Sequence, residues 1–151
     1  MKIIPLFYSL LLLFVLGACS MNADQEASLN SAMNEYIDAI NNDRVSMRVR
    51  LTYPDAVRYY RNLGDEAFIY QFKPENNLKH YQDGRITQIE SKGKVMHVEY
   101  EYIVIKEDED IIATEKEMIY AVSLDEGAHW KFMNRSEYTN DKILPKSKRL
   151  I

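Results

Sequence analysis

Apolar residues in the first half of the chain recur at the spacing of an α-helix. Beginning near residue 24, they follow one another at intervals of three and four positions, so they form one stripe along a helix that ends near Asn41 and Asn42. The residues of this stripe are Leu29, Met33, Tyr36, Ile37 and Ile40. The pattern predicts an amphipathic helix that buries this stripe against another element.

Shorter helices are predicted to follow it. The first covers residues 45–52 and ends there because Pro54 restricts the backbone of Tyr53. Pro54 is also suited to the first position of the next helix, which Gly64 is expected to end. The segment 65–72 fits a helix or a strand, and we expect a helix.

After Gly84 the pattern changes to the alternation of apolar and polar residues that is typical of β-strands. Turn-forming residues separate successive runs, so neighbouring strands are expected to pair as antiparallel hairpins. The predicted strands cover residues 85–90, 94–106, 112–124 and 129–134. Helices followed by hairpins predict an α+β domain in which a curved antiparallel sheet packs over the helices.

Aligning the apolar residues of adjacent strands predicts a register. It pairs Ile89 with Met96, Tyr100 with Met118, Val98 with Tyr120, Val122 with Phe132, and Leu124 with Trp130. One face of the sheet is then apolar and available to cover the helices. The residues assigned to this face are Met96, Val98, Tyr100, Tyr102, Val104, Met118, Tyr120, Val122, Trp130 and Phe132.

The N-terminus has a different character from the rest of the chain. Lys2 precedes an apolar run over residues 3–15, and Leu16-Gly17-Ala18-Cys19 follows the run. The run is shorter than the roughly 20 apolar residues that cross a bilayer. It resembles a bacterial lipoprotein signal, which implies removal of residues 1–18 and lipidation of Cys19. The alternative is an N-terminal helical anchor with an incidental cysteine.

Cys19 is the only cysteine, so the sequence offers no intrachain disulfide, thiol catalyst or cysteine-based metal site. Ser20 in the next position is similar to the pattern that directs lipoproteins to the outer membrane. Several acyl chains hold a protein on a membrane stably, whereas one chain holds it marginally. We therefore expect a membrane partner through the lipid on Cys19 and a location in the cell envelope, at the outer membrane.

The mature chain has the length of one domain. The predicted boundaries are a lipidated cysteine and short linker at 19–23, a folded domain at 24–138 and a C-terminal tail at 139–151. A formal net charge of −4 without a basic stripe disfavours nucleic-acid binding. The basic tail is expected to be solvated, with contact to anionic lipid headgroups as the alternative.

Several motifs of the mature chain carry a resemblance to a known family. They are the helix end at Asn41-Asn42-Asp43, the Tyr53-Pro54 break, the long strands and the Trp130-Lys131-Phe132 strand. Together they resemble the nuclear transport factor 2-like, or SnoaL-like, superfamily. The Ile143-Leu144-Pro145 tail behind the lipoprotein signal is similar to small envelope lipoproteins of that superfamily from Bacteroidetes-type bacteria. The resemblance implies a cone with a cavity between helices and a concave sheet.

Aromatic residues are the candidate lining of that cavity. Tyr36 and Tyr60 are expected to project from the helices towards the apolar face of the sheet. Enzymes of the superfamily resemble one another in placing an Asp, or an Asp and a His, beside a Tyr in the cavity, and the predicted face carries no such acid or base. We therefore expect either a pocket for an apolar or planar ligand or ordinary core packing. The candidate lining residues are Tyr36, Tyr60, Tyr100, Tyr102, Met118, Tyr120, Trp130 and Phe132.

The opposite face of the sheet is predicted to be acidic. With Glu101 across from Glu117, carboxylates gather there and offer oxygen ligands to a divalent cation. A different register would set Glu101 against Lys116 and dissolve the cluster. The interpretation that we favour is an ordinary solvated outer face without a metal. The candidate ligands are His97, Glu99, Glu101, Glu115 and Glu117.

These observations predict a membrane-anchored envelope lipoprotein with a non-catalytic domain for binding a small ligand or another protein. No cofactor is expected. One alternative is an isomerase, dehydratase or hydrolase of the same superfamily, which would use a polar cavity residue outside the predicted face. Another is a structural envelope subunit that forms a homodimer through its sheet.

Overall fold

The computed structural model describes residues 20–73, 79–108 and 111–151. The N-terminal signal and Cys19 lie outside these residues. The helices are α1 (Ala23–Asn41), α2 (Val45–Leu51), α3 (Pro54–Leu63), α4 (Asp65–Phe72) and α5 (Arg135–Tyr138), and the strands are β1 (Lys79–Lys92), β2 (Val95–Asp108), β3 (Ile111–Ser123) and β4 (Lys131–Asn134). The helical expectation for residues 65–72 is confirmed. Over the described residues, no helix has the length and apolar character to span a membrane.

The first helix begins with a reciprocal cap and buries one face. The Asn22 side chain accepts from the backbone N–H of Gln25, and the Gln25 side chain accepts from that of Asn22. This capping box satisfies backbone donors that the first helical turn leaves free. The predicted stripe then packs on the sheet, where the ring of Tyr36 stacks on Phe132 with centroids 4.7 Å apart.

The break between α2 and α3 connects the helices to the sheet. Thr52 forms a parallel bridge with Phe132, and the Tyr53 N–H donates to the Phe132 carbonyl at 2.9 Å. Pro54 then occupies the start of α3, as predicted. Gly64 separates α3 from α4 with a φ of +114°, a conformation that favours glycine.

The strands form one antiparallel sheet in the order β1-β2-β3-β4. The α+β class with helices first is therefore confirmed. Strand β1 begins at Lys79, earlier than predicted, because Asp83 and Gly84 form an irregularity within the strand and not a turn before it. A side chain at Gly84 would place its Cβ 2.3 Å from the Tyr102 ring, which explains the glycine there.

The predicted register is wrong for each hairpin. Tyr100 pairs with Ile119 instead of Met118, and Val98 pairs with Ala121 instead of Tyr120. Between β3 and β4, Phe132 pairs with Ala121 instead of Val122. Between β1 and β2, Ile89 pairs with Val98 instead of Met96. A shift of one residue turns a whole strand over, so Met118, Tyr120 and Val122 lie on the outer face. Leu124, predicted to face Trp130, is 61% exposed.

Alternation misled the prediction because both faces of β3 are apolar near its end. Ile119 and Ala121 face the helices, while Tyr120 and Val122 face the other way, and all are buried. The outer face is covered by α3 and the C-terminal segment, so the sheet has a core on each side. The outer core consists of Ala56, Tyr120, Val122, Met133, Tyr138, Ile143 and Leu144.

The segment predicted as a solvated tail is therefore part of the fold. Ile143 and Leu144 are each 2% exposed, and the ring of Tyr138 stacks on Tyr120 with centroids 4.0 Å apart. Arg149 donates to the Leu144 carbonyl at 2.8 Å and closes the segment on itself. Burial of these apolar side chains, and not the charge of the basic residues, determines where the segment lies.

A buried histidine holds the end of this segment. His97 is 1% exposed, and its Nδ1 accepts from the Leu150 N–H at 3.3 Å and lies 2.8 Å from the Tyr138 hydroxyl. The Tyr138 oxygen in turn accepts from the Ile151 N–H at 3.1 Å. Burial lowers the pKa of His97 to about 4, so the ring is neutral and acts as an acceptor at neutral pH.

The free energy of unfolding is expected to depend on pH through His97. Its folded pKa of about 4 lies below its ordinary value of 6.5, so the unfolded chain gains a proton first as the pH falls. Between pH 7 and pH 4.5 this removes roughly 2 kcal/mol of stability. Urea denaturation followed by the fluorescence of Trp130 should show that His97→Gln flattens the pH profile by this amount. His80→Gln, at an exposed position, is the matched control, and parallel profiles for His97→Gln and the wild type would contradict the account.

Candidate functional site

A pocket of about 580 Å³ opens where strand β4 ends. Strand β4 pairs with β3 only over Ile119–Val122, so the earlier part of β3 borders an open space beside α2 and α4. We call this space the polar pocket. Its polar lining includes Arg48, Gln71, Lys79, Tyr81, Lys116, Glu117 and Arg135.

Glu117 brings a carboxylate to the side of the sheet that faces the helices. It lies opposite Tyr102 in the β2–β3 register. Its Oε1 accepts from Lys79 Nζ at 2.6 Å, and its Oε2 accepts from the Tyr81 hydroxyl. The prediction that this face carries no acid is therefore wrong, for the same reason that the register is wrong.

The surroundings of Glu117 keep it ionised. Burial raises the pKa of Glu117, but hydrogen bonds from Lys79 and Tyr81 outweigh burial and hold it below its ordinary value. The pKa of Tyr81 is raised, first by burial and then by its bond to this carboxylate. The phenol therefore stays protonated and donates to Glu117 over the whole physiological pH range.

Arg48 supplies a cation from α2 to the wall of the polar pocket. Its buried Nε has no hydrogen-bond partner among the described residues, and its guanidinium carbon lies 5.6 Å from the centroid of the Phe72 ring. Nearby, burial raises the pKa of Tyr36 to about 12, although the Arg48 charge opposes the shift. Because the Arg48 Nε is buried, a ligand in the pocket would contact the other guanidinium nitrogens, where a charge-assisted hydrogen bond to an anion would be favourable.

A second acid lies behind the lining, in α5. Glu137 is 1% exposed, and its carboxylate accepts from Gln71 Nε2 at 2.7 Å and from the Asn134 N–H at 2.8 Å. Burial raises the pKa of Glu137, although the hydrogen bond from Asn134 and the charge of Arg48 oppose the shift. The Asn134 to Glu137 spacing is a capping box, a signal that sequence reasoning missed.

Most of the aromatic residues predicted to line a cavity fill the core instead. Tyr60 makes an edge contact with Phe72 at 5.8 Å, Tyr120 lies in the outer core, and Met118 borders the polar pocket. The rings of Tyr100 and Tyr102 stack with centroids 6.1 Å apart. The predicted lining residues buried between α1 and the sheet are Tyr36, Tyr100, Tyr102, Trp130 and Phe132.

The predicted acidic cluster does not form. Glu101 pairs with Arg85 at 2.7 Å and Lys116 at 3.2 Å, and these cations hold the pKa of Glu101 below its usual value. His97 and Glu99 lie on the outer side, whereas Glu115 and Glu117 turn towards the helices. Within the described ranges, no three His, Cys, Asp or Glu side chains come together as a metal site.

Cations outnumber acids in the lining of the polar pocket, where Glu117 is the one acidic residue among the described lining residues. Glu117 pairs with Lys79, and Glu101 is shared between Lys116 and Arg85. Among the described residues, no carboxylate forms an ion pair with Arg48 or Arg135. The arrangement therefore presents a positive wall to any molecule that enters, and its chemistry suits a carboxylate or a phosphate.

Variants at Glu137 test whether this acid is a buried charge held by the fold. Glu137→Gln keeps a side chain that can bond to Asn134 and Gln71, whereas Glu137→Ala leaves both unpaired and should lower stability by about 2 kcal/mol. Because burial places the folded pKa of Glu137 above its ordinary value, its ionisation costs stability as the pH rises. Urea denaturation from pH 5 to pH 8 should thus show Glu137→Gln gaining stability relative to the wild type. A constant or falling difference would contradict the burial of a charge at this position.

Comparison with known proteins assigns no family to this chain. No family model, no curated protein and no solved structure matches it. The evidence for function is therefore the chemistry of the polar pocket together with the signals in the sequence.

Proposed function

We propose that this protein is a lipid-anchored envelope lipoprotein whose domain binds a small anionic molecule in the polar pocket. The observation that carries the binding proposal is Arg48, which lines the pocket and forms no ion pair with a carboxylate among the residues that the structure describes. Arg135 adds a second cation to the same lining, and within the described ranges it also forms no ion pair. The anchor is proposed from the resemblance of residues 1–19 to a lipoprotein signal.

The lining supports an anionic ligand more than the apolar ligand that the aromatic content suggested. Most of the aromatic side chains are used in the core, whereas charged and polar side chains form most of the pocket wall. Tyr70 is an exception, because it borders the pocket and is 79% exposed. Its ring is available to stack on a planar part of the ligand, so a carboxylate on a flat ring would use both features.

Binding without catalysis is favoured by the state of the acids. Both oxygens of Glu117 are occupied by Lys79 and Tyr81, and a carboxylate with a lowered pKa is a weak base. Glu137 is closed off behind Gln71. Neither acid is free to exchange a proton with a ligand in the pocket.

The enzyme alternative has one specific observation in its favour. The Tyr81 hydroxyl and the Glu117 carboxylate are joined by a hydrogen bond inside the pocket, and such a pair can polarise a carbonyl group. For catalysis, a ligand would have to displace this bond. Chemical turnover of a bound ligand that is lost in Tyr81→Phe would favour the enzyme over the binding protein.

A helices-on-sheet domain with a pocket beside the sheet is also consistent with the nuclear transport factor 2-like cone. We propose that the domain is such a cone because of the order of its elements and the position of its pocket. The Tyr53-Pro54 break and the Trp130-Lys131-Phe132 strand meet through the Tyr53 to Phe132 hydrogen bond, which gives these sequence motifs a shared structural role.

The anion site is tested by replacing its central cation. Benzoate and inorganic phosphate are titrated against the protein by calorimetry and by NMR of the arginine Nε–H signals. We expect Arg48→Met to weaken binding of the preferred anion at least about tenfold, because a charge-assisted hydrogen bond is lost. Arg58→Met, which removes an exposed cation from α3, should leave binding unchanged. The proposal would be overturned if Arg48→Met and Arg58→Met bound the anion with equal affinity, or if the wild-type protein bound neither benzoate nor phosphate.

The anchor is tested by the mass of the protein extracted from membranes. We expect a species that begins at Cys19 and carries acyl chains, and we expect Cys19→Ser to leave residues 1–18 attached and unmodified. Mass spectrometry of the detergent-extracted protein measures both. A wild-type protein that keeps Met1 and carries no lipid would refute the anchor without affecting the anion site.

A further inference from the structure

We infer that the domain stands on the membrane on the end where α1 begins. Lys92, Lys94 and Lys148 then lie against anionic headgroups, and the polar pocket opens away from the lipid. The inference rests on the proposed lipid anchor. It adds an interaction surface, and it determines from which compartment the pocket receives its ligand.

The described chain enters the fold at the turn between β3 and β4. Gln25 Nε2 donates to the Glu126 carbonyl at 2.8 Å, and the Ser28 hydroxyl donates to the Ala128 carbonyl at 3.1 Å. Gly127 lies against Gln25, and a Cβ at this glycine would approach Gln25 Cγ to 2.9 Å. The start of α1 is therefore fixed on this turn.

The turn between β1 and β2 lies at the same pole. The Glu126 N–H donates to the Lys94 carbonyl at 2.8 Å, and Gly93 makes the turn with a φ of +61°. We define the N-terminal pole as residues 20–25, 92–95 and 124–129. All of it lies close to the point where the described chain begins.

The short connection to Cys19 keeps this pole near the lipid. Asn22 caps α1, so only a few residues separate the cysteine from the rigid helix, and they span at most about 14 Å when fully extended. Helix α1 has 19 residues and is about 28 Å long. The far end of the domain is thus beyond the reach of the tether unless the domain lies flat.

Lysines form a basic edge on one side of the N-terminal pole. Lys92 and Lys94 are exposed beside the β1–β2 turn. Lys148, in the C-terminal segment, is also exposed and lines the same groove as Lys92. Leu124, at the same groove, is 61% exposed. Basic side chains around an exposed apolar residue match an anionic lipid surface. The acidic groups at this pole are Asp24, Asp125 and Glu126.

These three acidic groups equal the three lysines in number, so the pole has no net positive charge, but no acidic residue that the structure describes lines the groove where Lys92 and Lys148 lie. Asp125 is engaged by the His129 ring at 2.6 Å and by the Ser123 hydroxyl at 2.8 Å. The lysines at the groove lie on the side of the C-terminal segment, which covers the outer face of the sheet. The domain should therefore lean towards the membrane on the side of its C-terminal segment.

The polar pocket lies at the opposite end of α1. Asn41, the last residue of α1, donates through Nδ2 to the Tyr81 carbonyl at 2.9 Å and accepts from the Tyr81 N–H at 2.8 Å. Tyr81 and the neighbouring Ile40 line the pocket. The pocket is therefore on the order of 25 Å from the N-terminal pole. A ligand would reach it from the aqueous compartment and not from the bilayer.

Distance labels on the lipidated protein test this orientation. If Cys19 is lipidated, an introduced cysteine is the only free thiol, so Ser91→Cys marks the N-terminal pole and Ile112→Cys marks the far end of the β2–β3 hairpin. Both positions are exposed. Each dye-labelled protein is reconstituted in vesicles of phosphatidylglycerol and phosphatidylethanolamine that carry a headgroup quencher. We expect the label at residue 91 to be quenched at least about threefold more than the label at residue 112.

The lysine surface is tested by a charge-matched pair of variants. Lys92→Gln with Lys94→Gln should reduce the quenching at residue 91 in these vesicles, whereas Arg58→Gln with Arg61→Gln on α3 should not. Equal quenching of the two labels, or equal effects of the two double variants, would overturn the orientation. Flotation of the vesicles reports the anchor separately, because a protein that does not float with them refutes the proposed lipidation itself.

Discussion

The pairing of β2 with β3 is the constraint on which the rest of this structure depends. It places Ile119 and Ala121 against α1 and turns Tyr120 and Val122 to the outer side. Because both sides of β3 are then buried, the C-terminal segment has an apolar surface to cover. The same pairing turns Glu117 towards the helices, where it meets Tyr81. One register thus determines the second core and the chemistry of the polar pocket together.

The elements and their order could be predicted from the sequence because each depends on local signals. The helical stripe of α1, the Pro54 start and the Gly64 stop act over a few residues, and the structure agrees with them. Alternation also located the strands. It did not determine the register, because a strand with apolar residues on both sides matches its partner almost equally well in neighbouring alignments.

The polar pocket was missed for a related reason. Its residues come from separate elements, including Arg48 in α2, Tyr81 in β1 and Glu117 in β3. None of them is unusual in its local sequence. The aromatic residues were noticeable in the sequence, but large rings at strand and helix spacing usually serve packing, and here they fill the core. The excess of cations over acids in the lining of the polar pocket arises only when folding brings these residues together.

The proposed function joins a lipid tether at one pole of the domain, which is inferred from the sequence, with a pocket rich in cations at the other. It depends on Glu117 facing the helices beside Tyr81 and Lys79, and a pH titration of the Glu117 carboxyl carbon by NMR tests this most directly. The account predicts a pKa below the ordinary value of 4.5. In the other register Glu117 would face Glu101 on the outer side, and repulsion between like charges would raise its pKa. A midpoint above 4.5 would contradict the account.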